Sequence, residues 1–143
     1  MRFLPNRLIN LPSSTEQVYS EWLHSIDSEL ENQDCDRYEL CRRILTDIHY
    51  PTLTNKKPQD LSLSDKVLIA NLDPRNVTLE PEYYADVDLQ RYYRVKPLIW
   101  LWEMFDQSPL SENVDLGVKF RRMLAKRIFH KCGKNFKAFH YVK

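Results

Sequence analysis

Phe129-His130-Lys131-Cys132-Gly133-Lys134-Asn135-Phe136-Lys137-Ala138-Phe139-His140-Tyr141-Val142-Lys143 closes the chain. Its reading decides whether the fold is purely helical. The stretch has the cadence of a strand, a glycine-assisted corner and a second strand, with Gly133 at the corner as one of only two glycines in the sequence. Glycine serves corners because it lacks the Cβ that forbids positive φ.

Outward from this end, the pattern is helical. In 13–31, Ser13-Ser14-Thr15-Glu16 reads as an N-cap box, and Val18, Trp22, Ile26 and Leu30 recur every four residues. Asp36 opens a second helix whose stripe is Leu40, Cys41, Ile44, Leu45 and Ile48, and Pro51 ends it. Residues 52–60 are polar linker. Ser62 or Ser64 then caps a short helix in which Val67, Leu68, Ile69, Ala70 and Leu72 are almost all apolar, a composition that predicts burial. Asp73-Pro74-Arg75-Asn76 is turn chemistry, residues 77–79 are briefly extended, and Glu80-Pro81-Glu82 opens a helical turn. Pro97 divides the next pattern into helices at 89–94 and 97–106. A last amphipathic helix over 116–129 carries Leu116, Phe120, Leu124 and Ile128 on one side and Lys119, Arg122 and Lys126 on the other. The predicted core is Trp22, Ile26, Ile44, Leu68, Ile99, Trp102, Phe120 and Leu124.

Composition agrees with this reading. At 143 residues the chain matches one ordinary domain, and 43% hydrophobic and 12% aromatic content belong to a folded protein. Two glycines are too few for the turns of an all-β fold. The fold class is therefore mainly α: a compact domain of five to seven helices over 1–130, followed by a short β segment over 131–143. No apolar run approaches the roughly 20 residues that cross a bilayer, and the first dozen residues lack a signal-peptide pattern. Three cysteines with no CxxC pair point to reduced thiols and a cytoplasmic location.

A net charge of +1 conceals a polarity. Seven acidic residues and no Lys or Arg lie between Glu16 and Asp36, whereas nine Lys or Arg and no acid follow Asp115. Such ends either meet each other or recruit a partner. Arg121-Arg122 and Lys126-Arg127 would suit phosphates, but the wet side of an amphipathic helix near its C-terminus explains them more simply, so a nucleic-acid partner is disfavoured. Tyr92, Tyr93, Trp100, Trp102 and Phe105 read as core in preference to a stacking platform. His130, Cys132 and His140 offer two imidazoles and a thiolate without the further ligands that a pinned zinc site requires. There is no phosphate loop and no nucleophile elbow. The residues thus nominate no catalytic, cofactor-binding or metal-binding side chain.

Two strings carry a resemblance. Asp73-Pro74-Arg75-Asn76-Val77-Thr78-Leu79-Glu80-Pro81-Glu82-Tyr83-Tyr84 and Arg94-Val95-Lys96-Pro97-Leu98-Ile99-Trp100-Leu101-Trp102-Glu103-Met104-Phe105-Asp106 resemble the front portion of bacterial, especially cyanobacterial, hexapeptide-repeat acyltransferases. These are related to the maltose and galactoside O-acetyltransferases. In that group a helical extension leads through a basic helix into a left-handed β-helix, by a turn similar to Cys132-Gly133-Lys134-Asn135-Phe136. The resemblance implies acyl transfer from acyl-CoA to a hydroxyl or amine, with 131–143 as the incomplete first β-helix coil. The family's catalytic histidine matches nothing here, His140 included, so the chain alone is predicted inactive. Acyl-CoA and a small acceptor become partners only in a longer protein. The rival readings are a free-standing helical interaction module and, behind it, a nucleic-acid binder. Under the acyltransferase reading, unstacked Phe136, Phe139, Tyr141 and Val142 favour self-association through 132–143, and removing that segment leaves the helical part folded and more monomeric.

Overall fold

The computed structural model describes Arg2 and residues 4–140. Among these residues six α-helices follow one another: α1 Ser13–Glu31, α2 Arg37–His49, α3 Leu63–Leu72, α4 Glu80–Tyr84, α5 Leu89–Asp106 and α6 Val114–Ile128. Single 3-10 turns at Pro51–Leu53, Pro58–Asp60, Pro74–Asn76 and Pro109–Glu112 join them. Each of these turns begins on a proline, whose missing amide costs nothing where no helical acceptor precedes it.

Helix starts follow side-chain chemistry. Asp36 accepts from the amides of Tyr38 and Glu39, and Asn113 from that of Leu116. Ser62 and Asp65 form a reciprocal capping box at the head of α3. The box expected at Ser13 is not made. Pro12 occupies the N-cap position with φ −54° and ψ 140°, no side chain caps the helix, and Ser13 is already helical. The rigid proline ring sets the entry direction in its place.

The predicted break at Pro97 is also absent, for α5 runs unbroken through it. Proline deprives the Tyr93 carbonyl of its helical partner, and α2 supplies a substitute. The Tyr38 hydroxyl donates to Tyr93 O at 2.7 Å, and Arg37 Nη1 donates to Arg94 O at 3.1 Å. Burial, and after it the Glu82 carboxylate, pushes the Tyr38 phenol up, which keeps it a neutral donor. With those carbonyls satisfied, Leu98 and Leu101 continue the helix into the core.

α5 is the central helix. It lies against α2 on one side and α6 on the other, while α1 packs on α6 and α3 on α2. Leu45, Phe105, Phe120 and Leu124 are completely buried at the centre. Trp22, Phe120 and Phe105 stack in succession across α1, α6 and α5, with centroids 5.7 and 3.9 Å apart. Full burial of a side chain such as Phe105 or Phe120 contributes about 1.5–3 kcal/mol.

Of the predicted core, Ile26, Ile44, Phe120 and Leu124 are buried, whereas Trp22, Ile99 and Trp102 are half-buried. Leu68 is exposed. Its helix, α3, meets the core through Leu72 and leaves Leu63 80% and Val67 60% exposed, so apolar content did not mean burial there. No strand occurs among the described residues. Residues 131–140 turn at Lys134-Asn135, with the Phe136 amide donating to Gly133 O at 3.1 Å, and no neighbouring chain segment offers a ladder. Tyr141, Val142 and Lys143, read as part of the second strand, lie outside the described residues. Nor does Gly133 need to be glycine: a Cβ there would meet nothing within 4 Å, and its φ lies outside the left-handed region.

Candidate functional site

The most elaborate polar assembly lies where α5 ends and α6 and the C-terminal segment meet it. Arg121, read from sequence as part of a solvated basic face, is 1% exposed. Its Nε and Nη2 donate to Asp106 Oδ1 at 3.0 and 2.7 Å. Nη2 also donates to Ser111 O, and Nη1 to Ala138 O, each at 3.2 Å. The guanidinium lies 5.7 Å from the centroid of Phe105. A buried guanidinium is tolerable only with its donors answered in this way.

Gly117 makes the room. It precedes Arg121 by one helical turn, and a Cβ at Gly117 would stand 2.7 Å from Arg121 Nη1 and 3.0 Å from Ser111 O. Sequence reasoning missed this pair. The available signal was a glycine placed one turn before an arginine inside an otherwise sound helix.

Asp106 ends α5, and its main chain is as occupied as its side chain. Its carbonyl accepts from Ser111 Oγ at 3.1 Å and from His140 Nε2 at 2.9 Å, which places the imidazole proton on Nε2. His140 Nδ1 lies 3.4 Å from Glu112. On the two residues just before Asp106, His49 Nε2 donates to Met104 O at 2.9 Å and Ser108 Oγ to Phe105 O at 2.6 Å. The orphan carbonyls of this helix end are thus met by side chains.

The C-terminal segment is held from the same side. Arg122 Nε donates to Phe136 O at 2.8 Å, Arg121 takes Ala138 O, and His140 reaches back to α5. Phe136 packs against Trp102 and Phe129, and Ala138 is buried. His140 is therefore drawn towards α5 and Glu112. Among the described residues no group of three or more His, Cys, Asp or Glu side chains gathers, so His130, Cys132 and His140 do not form a cluster.

A second buried pair fixes the chain before α5. Lys96 Nζ donates to Glu82 Oε1 at 2.8 Å and to Val77 O at 2.6 Å. Glu82 Oε2 accepts from the Leu79 amide at 2.7 Å and the Tyr92 hydroxyl at 3.2 Å. Burial raises the Glu82 carboxyl, but Lys96, the Leu79 amide and Tyr92 together outweigh it and hold the group below its ordinary range. Burial, then the Glu82 carboxylate, moves the Tyr92 phenol in the opposite direction.

The charge polarity of the sequence is partly resolved within the molecule. Asp27 of α1 accepts from Arg127 at 2.8 Å and lies 3.0 Å from Lys126, and Glu31 also pairs with Arg127. Burial raises the Asp27 carboxyl, yet the two cations prevail and lower it. The acidic first helix and basic last helix thus meet each other.

A cleft of about 720 Å³ opens where α1 ends and α2 begins, and includes Glu31, Cys35, Arg37, Arg94 and Arg127. Arg37 and Arg127 are already committed to main-chain and carboxylate oxygens. Burial, then the Glu29 carboxylate, raises the Cys35 thiol, and burial raises Cys41 far more. Neither thiol has the electropositive setting that makes a nucleophile. Tyr92 and Phe105, from the aromatic set, are buried, and Tyr93 is exposed. No described helix is long and apolar enough to cross a membrane. No family model, curated protein or solved structure matches the chain.

Proposed function

We propose that the chain is the helical front of an acyltransferase-like protein, and that its role is to anchor and aim the chain that follows α6. The supporting observation is the grip of α6 on alternate main-chain carbonyls, Phe136 by Arg122 and Ala138 by Arg121. A spacing of two places carbonyls on the same side of an extended chain. The arginines therefore meet the segment as a partner strand would, without a strand being present. Such an anchor would present the start of a β-helix coil and cover its open edge, which is otherwise a template for unwanted pairing. The acyl-transfer chemistry itself, from acyl-CoA to a hydroxyl or amine, would reside outside these 143 residues. No side chain in the clamp is assigned a catalytic role.

The test pairs the gene with an assay. We expect the reading frame to continue past Lys143 with an aliphatic residue at every sixth position. The product of the whole frame should release CoA from acetyl-CoA when given sugar or amine acceptors, while the 143-residue chain releases none. Acetyl transfer by the 143-residue chain, abolished by a His140 substitution, would overturn the reading, as would a downstream sequence without the six-residue period. A helical interaction module is the second reading, favoured by the exposed Leu63, Val67 and Leu68 on α3.

A further inference from the structure

The clamp forms one wall of a second feature. The N-terminal segment, the first turns of α6 and the C-terminal segment enclose a groove of about 440 Å³, within the roughly 300–1,000 Å³ typical of small-molecule sites. Its apolar lining comes from all three: Ile9, Val114 and Val118, and Phe139. Ile9, Val114 and Phe139 are each about half exposed, so apolar surface stands open to water without a protein cover.

The polar lining is one-sided. Arg7, Lys119, Arg122 and Lys137 face one carboxylate, Asp115, which Lys119 already engages at 3.1 Å. Arg122 commits Nε to Phe136 O. Its Nη nitrogens, like the side chains of Arg7 and Lys137, have no hydrogen-bonded partner among the described residues. Elsewhere on α6 the cations are answered within the molecule, as Lys126 and Arg127 are by α1. Here they are not. Uncompensated positive charge beside an apolar lining asks for a ligand that brings both complements together.

We infer that this groove binds a single-chain anionic amphiphile, an aliphatic tail carrying a phosphate or carboxylate head. The head would be met by Arg7, Arg122 and Lys137, and the tail would cover Ile9, Val118 and Phe139. Three segments converge on a groove of about 440 Å³, a volume on the scale of one small molecule, which suits one chain better than a bilayer. The inference is independent of whether the protein is acyltransferase-like, since it uses only the groove's charge and apolar surface.

Calorimetric titration of the full chain tests it, with decyl phosphate, hexyl phosphate and inorganic phosphate as probes, each kept monomeric. We expect saturation at one equivalent of decyl phosphate. Affinity should rise about fourfold per methylene between hexyl and decyl, the equivalent of ~0.8 kcal/mol. It should fall as salt is raised from about 50 to about 500 mM, because exposed charges are then screened. Arg7→Gln with Lys137→Gln should weaken binding at least tenfold, and Phe139→Ser should flatten the chain-length dependence. Both variants change exposed side chains, and a retained circular dichroism spectrum would confirm that they fold. Equal binding of neutral decyl glucoside, equal binding of inorganic and decyl phosphate, or indifference of the double variant would overturn the inference. Binding to anionic phospholipid vesicles without binding of monomeric decyl phosphate would overturn it in favour of a membrane surface.

Discussion

At the scale of single residues, the two glycines exchange the roles that their neighbourhoods suggest. Gly133 stands amid turn-like sequence and has open space around it, whereas Gly117 stands in mid-helix against a buried guanidinium and a carbonyl. Alanine at Gly117 would gain about 1 kcal/mol of helix propensity. It would also press on Arg121, which cannot swing aside without abandoning Asp106, Ser111 and Ala138. Overpacking of this kind typically costs about 1–3 kcal/mol, so the net change for Gly117→Ala is destabilising. Gly133→Ala should stay within about 0.5 kcal/mol of the parent, as surface substitutions usually do. Urea unfolding of both variants checks the contrast, and a more stable Gly117→Ala protein would show that the guanidinium is not fixed there. Arg121 was hard to read because helical periodicity sorts residues by face, and an arginine beside the Phe120 stripe looks like its wet border. Only its partners on other elements make it a core residue, and sequence spacing does not reveal them.

At the scale of elements, periodicity and capping located the helices well, and the errors came from contacts between helices. Asp36 and Ser62 mark true starts because their caps are local chemistry, whereas α6 begins at Val114, two residues before the expected 116, on an Asn113 cap that the sequence reading passed over. Pro97 was misread as a break because the rescue of its orphan carbonyls comes from α2, more than fifty residues away. α3 was misread as buried because its apolar residues surround the helix while the fold uses only one side of it. The Pro97 account has a definite consequence. Tyr38→Phe should cost about 1 kcal/mol in the natural chain by stripping the Tyr93 carbonyl of its donor. In a Pro97→Ala background the restored amide can serve that carbonyl, and the same change should cost almost nothing. A double-mutant cycle by urea unfolding measures the difference directly. Equal costs in both backgrounds would show that Tyr38 does not compensate for the proline.

At the scale of the whole molecule, the helical core and the C-terminal segment contribute differently. The central hydrophobic cluster runs from Ile26 to Leu124, with Ile128 packed beside it, and includes nothing from 129–140. The segment nevertheless supplies the Ala138 carbonyl to buried Arg121, covers Trp102 with Phe136 and sends His140 to the end of α5. The β segment expected over 131–143 is not formed among the described residues, and the partner that holds the segment was not legible in the sequence. Strand propensity says that main-chain groups need partners without saying whether another strand or a pair of arginines will answer them. Removal of 132–143 should therefore leave one cooperative thermal transition, since the core is intact, but at a lower midpoint. Arg121 loses one charge-assisted hydrogen bond in a buried setting, worth about 2–3 kcal/mol, and keeps Asp106 and Ser111. For a domain of this size that loss lowers the melting midpoint by roughly 5–10 °C. Light scattering on the same samples should show no rise in mass, because the deletion also removes exposed Phe139. An unchanged midpoint would mean that the clamp contributes nothing to the folded state. Loss of the cooperative transition would instead make the segment part of the folding unit, which would count against its being the lead-in to a structure built elsewhere.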